Sequence, residues 1–184
     1  MRSSYRGLLG SSQIDSPALG NTTTATSLLN GVEKFIIPAG YLQIGSKVRI
    51  MAQGRISNIV TTPGTLTLSV RTVGGVIIAN GGAVSLNTTA KTNVAFWLEF
   101  VMTCRAIGSG TGANFMFQGA FTSESVVGAA AGSTITALLP ASAPAVGTGF
   151  DSSAAQQIDL FGAWSIANAG NTIQIHQYEI ELPN

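Results

Sequence analysis

From Glu33 to Leu182 the chain repeatedly alternates apolar and polar residues with a period of two, the spacing of a strand that buries one face. The longest such run covers residues 94–107. There Phe96, Leu98, Phe100, Met102, Cys104 and Ala106 share one face, while Trp97, Glu99, Val101, Thr103 and Arg105 share the other. A helix cannot use that pattern, because residues two apart on a helix do not face the same way. Seven more segments of strand character, each bounded by turn residues, cover 33–37, 47–56, 65–73, 76–79, 114–122, 157–166 and 172–182. Gly74-Gly75 marks a hairpin turn between the third and fourth segments. In the last segment Ile173 and Ile175 fall on one parity, and Tyr178, Ile180 and Leu182 on the other. A one-residue phase change of this kind predicts a β-bulge near His176-Gln177.

Helical signal is thin. Residues 123–139 contain a Val-Val-Gly-Ala-Ala-Ala run, but Pro140, Pro144 and the Gly147-Thr-Gly149 run flank it, so a long surface loop is expected. Eight short strands without helical crossovers imply an all-β antiparallel sandwich or barrel. Residues 1–32 show neither period and divide the chain into an extended N-terminal arm, 1–32, and a β-sandwich domain, 33–184. The apolar spots Tyr5, Leu8, Leu9 and Ile14 favour an arm that orders on a partner over a disordered tail.

Charge narrows the function classes. Nine Lys and Arg and eight Asp and Glu make the charged fraction 9%, against roughly 25% in a typical soluble domain. The formal net charge is +1 and the mean hydropathy +0.35. Such a chain has little electrostatic self-repulsion and suits a surface covered by neighbours, although a weakly charged monomeric domain fits as well. Cys104, without a second cysteine to pair with, lies in an apolar run and reads as a core thiol. No stretch is long and apolar enough to span a membrane, and the first ten residues lack a secretory apolar segment. The sequons at Asn21 and Asn87 read as chance matches in a Thr-rich chain.

A search for chemistry finds little. A metal centre needs several converging His, Cys or carboxylate ligands, and His176 is the sole imidazole. Glu179 and Glu181 share a strand face and read as a solvated edge, since glycosidase carboxylates must oppose each other across a sugar. Asp151, Asp159, His176 and the many serines supply the parts of a catalytic triad, but no Gly-x-Ser-x-Gly elbow is present. The run Gly108-Ser-Gly-Thr-Gly112 joins two strands, with neither the Lys nor the helix start that a phosphate loop requires. The closest basic grouping, Lys47, Arg49, Arg55 and Arg71, is too small for a nucleic-acid stripe. Trp97 points away from the Phe96–Phe100 face, as a contact for another subunit or for a carbohydrate. No catalytic residue, cofactor, metal, nucleic acid, membrane or small-molecule substrate is therefore expected.

The stretch Phe35-Ile-Ile-Pro38-Ala-Gly-Tyr-Leu-Gln-Ile-Gly45-Ser-Lys-Val-Arg-Ile-Met-Ala-Gln-Gly54 resembles a signature of small virion proteins of tailed bacteriophages. The Gly64 to Leu68 strand start and the close His176-Gln-Tyr-Glu-Ile-Glu-Leu182 are similar to the same group. The resemblance covers residues 33–182 and implies a jelly-roll capsid decoration (cement) protein. It further implies a homotrimer on the outer capsid surface, contacting the major capsid protein and made in the host cytoplasm. No catalytic residues come with it. On that reading Arg2, Tyr5, Arg6, Leu8 and Leu9 of the arm are candidate capsid contacts, and Trp97, Val101 and Thr103 are candidate subunit contacts. The rival expectation is a carbohydrate-binding β-sandwich of a phage tail or receptor-binding apparatus, with Trp97, Trp164 or Tyr178 as sugar platforms.

Overall fold

A computed structural model describes residues 6–183, with side chains placed for 7–182. The described residues form thirteen strands: β1 (Arg6–Ser11), β2 (Leu19–Gly20), β3 (Thr26–Ser27), β4 (Phe35–Ile37), β5 (Lys47–Asn58), β6 (Thr65–Thr72), β7 (Ile77–Ser85), β8 (Lys91–Ala106), β9 (Asn114–Ser123), β10 (Ile135–Leu139), β11 (Ala145–Val146), β12 (Gln156–Trp164) and β13 (Thr172–Pro183). Their only helical element is a short 3-10 turn, Gly31–Glu33. All eight segments read from the sequence are strands here. The five additional strands are short pieces that carry no sustained alternation. β10, for example, exposes both Ile135 and Leu138.

Two antiparallel sheets pack face to face. The first runs β1-β13-β5-β8-β9-β10, with β2 beside β13 and β11 beside β9; the second runs β3-β12-β6-β7, with β4 beside β12. The pairings are nested. β6 pairs with β7, β5 with β8, β3 and β4 with β12, and β1 with β13. The chain is thus one long antiparallel hairpin, doubled at the Gly74-Gly75 turn and rolled so that successive pairs alternate between sheets. That is the jelly-roll order, with β9–β11 added beside β8.

The core lies between the sheets. Phe100, Phe115, Phe121, Leu66, Leu68, Val70, Ile158 and Leu160 are all fully buried. Phe96 stacks on Phe121 at 5.4 Å between ring centroids and Phe115 on Phe150 at 5.3 Å, geometries favourable for aromatic pairs. Cys104 is buried among them, and burial pushes its thiol pKa up.

Residues 6–32 are extended and lie along the sandwich, contributing the three short strands β1, β2 and β3. A buried polar cluster fastens them. The Glu33 carboxylate accepts the backbone N–H groups of Gln13 (2.7 Å) and Ile14 (3.0 Å), and the Tyr178 hydroxyl donates to the Glu33 carbonyl. Beside it, buried Asp159 accepts from Ser27 Oγ at 3.0 Å and pairs with Lys34 at 2.8 Å. Burial, and then the negative charges of Glu33 and Asp159, push the Tyr178 hydroxyl pKa up to about 12.

The predicted bulge lies in β13. Ile175 is opposite Gly54 and Gln177 opposite Gln53, leaving His176 as the extra residue. The bulge presses β13 onto β5 so closely that a Cβ on Gly54 would overlap the Gln174 carbonyl.

Two outcomes follow from these contacts. Gly54→Ala is expected to lower unfolding stability by about 3 kcal/mol or more, read by chemical denaturation, because backbone must move to admit the methyl. Tyr178 titrates higher in the folded chain than at its ordinary value of 10. Its contribution is complete below pH 10 and is lost as pH rises towards 12. The loss amounts to about 3 kcal/mol at 1.36 kcal/mol per unit. Denaturation curves at stepped alkaline pH should show that decline, and Tyr178→Phe should flatten it.

Candidate functional site

The outward face of the first sheet is broad, and register fixes which side chains share it. Across β13, β5, β8, β9 and β10 the rows run Gln177–Gln53–Trp97–Thr122–Thr136, then Glu179–Met51–Glu99–Ala120–Leu138, then Glu181–Arg49–Val101–Gln118. A fourth row sets Lys47 beside Thr103 and Met116, with Val146 of β11 opposite Met116. Strand alternation places all of these outward because the intervening residues fill the core.

The face divides by charge. On β13 and β5 it carries Glu179, Glu181, Arg49 and Lys47, and Arg49 Nε meets Glu99 Oε1 at 2.7 Å. On β8, β9, β10 and β11, apart from Glu99 and the exposed Arg105 near the end of β8, these rows are neutral, with Val101, Thr103, Met116, Gln118, Ala120, Leu138 and Val146 among them. Leu138 and Val146 are each about half exposed. The neutral zone continues into the chain that follows β9, since residues 125–150 contain no ionisable side chain. β10 is the outer edge of this sheet. Its loop is fixed from within: Lys91 meets Glu124 at 2.6 Å, Gly132 N–H donates to the same carboxylate, and buried Asn87 donates to the Ala129 carbonyl. The Lys91 ammonium and the Gly132 N–H hold the Glu124 carboxyl below its ordinary range.

Trp97 is outward and 41% exposed, while Val101 and Thr103 are half-buried on the same face. Leu8 is exposed on β1, opposite Glu181, and Leu9 packs partly against the core. Arg2 and Tyr5 lie outside the described residues; Arg6 opens β1 opposite Pro183.

Two proposed sugar platforms are removed by burial. Trp164 is fully enclosed and donates its indole N–H to the Leu19 carbonyl, and Tyr178 is held on Glu33. The stretch 123–139, expected as a loop throughout, ends in β10, because Thr136 to Leu139 pair with Gly119 to Thr122 of β9. The basic grouping is also split. Lys47, Arg49 and Arg55 lie on β5 of the first sheet, but Arg71 lies on β6 of the second, over the Phe161 ring at 5.2 Å.

His176 Nδ1 pairs with Asp15 at 2.9 Å, not with Asp151 or Asp159. Asp151 is held below its ordinary range chiefly by Ser153 in a local turn. Among the described residues no three His, Cys, Asp or Glu side chains converge as a metal site would require. Asp15 had no sequence signal, since its pairing depends on a bulge formed over a hundred residues away.

No known protein family and no curated protein matches the chain. Among solved structures it is similar to a protein of unknown function from Shewanella oneidensis MR-1 (14% identity, 97% of this chain and 78% of that one, TM-score 0.37). It is also similar to the CBM2 module of the evolved Dit of Lactobacillus casei BL23 phage J-1 (12% identity, 100% and 81%, TM-score 0.31). A third is arcelin-5, a lectin-like defence protein of Phaseolus vulgaris (9% identity, 98% and 97%, TM-score 0.35). At such TM-scores they carry no argument about what this chain does.

Proposed function

We propose that the chain is a structural virion protein, a capsid decoration protein that associates as a homotrimer and binds major capsid subunits on the outer surface. The observation that supports this reading is the neutral zone of the first sheet, where Val101, Thr103, Met116, Gln118 and Leu138 adjoin the uncharged β10 edge. An exposed edge strand is a template for pairing, and soluble monomers usually blunt it with Lys, Pro or a bulge. β10 carries none of these. Burying such a surface removes no ion from water, which is the compositional mark of interface centres. Copies meeting there encounter no like charge, and three in a closed ring would cover three such edges. The charged half of the face and the exposed Leu8 remain for contact with the capsid.

Light scattering on the purified chain should give three times the 18.8 kDa chain mass. Val101→Lys and Leu138→Lys, each placing an unpaired ammonium in the contact, should shift it towards the single-chain mass. Co-sedimentation with capsids assembled from a major capsid protein encoded by the same genome should retain the wild-type chain. A single-chain mass together with no co-sedimentation would overturn the reading.

A further inference from the structure

We propose that the outer face of the first sheet carries a binding trough for a neutral oligosaccharide, with Trp97 as the stacking platform and Gln53 and Gln177 as the polar contacts. This does not rest on the capsid reading. The three residues form one row, because Gln177 is opposite Gln53 and Gln53 is opposite Trp97. At ordinary strand spacing that row spans about 10 Å. Two adjoining depressions, of about 380 and 280 Å³, lie at its Gln53–Gln177 end, where both glutamines line both of them, and Trp97 stands next to Gln53 on the neighbouring strand.

These side chains are free. The amides of Gln53 and Gln177, the Arg55 guanidinium and the Trp97 indole N–H have no hydrogen-bond partner among the described residues. Elsewhere in the molecule, amides such as Asn87, Asn171 and Gln174 are spent on backbone carbonyls. The bulge creates the row. Had β13 kept the parity of Ile173 and Ile175, Gln177 would face the core; the extra residue His176 turns it outward beside Gln53. His176, in the wall of the larger depression, is itself held on Asp15 through Nδ1, and its buried Nε2 has no hydrogen-bond partner among the described residues.

The chemistry selects a class of ligand. An exposed indole offers an apolar plate with a polar tip, suited to the C–H face of a pyranose. Primary amides donate and accept at once, as vicinal sugar hydroxyls do. Arg55 stands at one end of the trough and Glu179 at the other. Their charges oppose, so the trough has no net field favouring an ionised sugar.

The test is a glycan array followed by isothermal titration calorimetry, using neutral cello-, xylo-, malto- and galacto-oligosaccharides, with sialylated and uronate-containing glycans as the second arm. Binding to at least one neutral series is expected. Trp97→Ala and Gln53→Ala should each weaken it at least tenfold with thermal melting unchanged. Ile36→Ala, on the exposed face of the other sheet, should leave it intact. Gln177→Ala provides a further exposed variant if either of the first two fails to fold. Absence of binding, binding confined to acidic glycans, or neutral binding that survives Trp97→Ala and Gln53→Ala would each overturn the proposal.

Discussion

Every strand of the first sheet is positioned, directly or through a neighbour, by β13, and β13 is positioned by one extra residue. It lies between β1 and β5 and also takes β2, so both ends of the described chain meet on it. Its register against β5 changes at His176, where the strand backbones approach so closely that only glycine fits at position 54. Below the bulge Ile173 and Ile175 fill the core; above it Tyr178, Ile180 and Leu182 do so. Without the shift one of these sets would face water. The cost of a locally broken ladder is offset by burying both sets and by the Tyr178 hydroxyl reaching Glu33.

That hydroxyl ties the sheet to the N-terminal segment. Glu33 accepts backbone from residues 13 and 14 while its own carbonyl accepts from Tyr178, so a single residue joins the first turn of chain to the last strand. A buried carboxylate is tolerated because its Oε1 receives two backbone donors. Several of the chain's few charges are likewise paired with one another within the molecule. Lys34 serves Asp159, Arg49 serves Glu99, Lys91 serves Glu124 and His176 serves Asp15. The neutral zone over β8 to β11 is the surface left when the scarce ions are placed elsewhere.

Parity made much of this legible. The alternation from Phe96 to Ala106 identified the central strand and put Trp97 outward, and the phase change after Ile175 located the bulge before any neighbour was known. In β12 Trp164 has the same parity as the buried Ile158 and Leu160, which is why it belongs to the core and not to a sugar platform. What alternation could not convey is which strands become neighbours. Arg71 and Arg49 lie on adjacent long strands in sequence yet in different sheets, because the roll alternates sheets at each pair. β2, β3 and β11 are too short for a period to register, β1 carries no alternation in Arg-Gly-Leu-Leu-Gly-Ser, and β10 is exposed on both sides. The Asp15–His176 and Glu33–Gln13 contacts arise only once β13 is in place.

The nested pairing also orders events in time. The hairpin of β6 and β7 closes over a short turn and can form early, whereas each outer pair must wait for a longer intervening chain to be made and gathered in. The outermost pair joins Arg6 to Pro183. During synthesis β1 therefore leaves the ribosome with its partner still untranslated, and β10 is made before the last strand of its sheet. A chain built in this sequence depends on completing its last strand promptly, since until then its open edges are available to other copies.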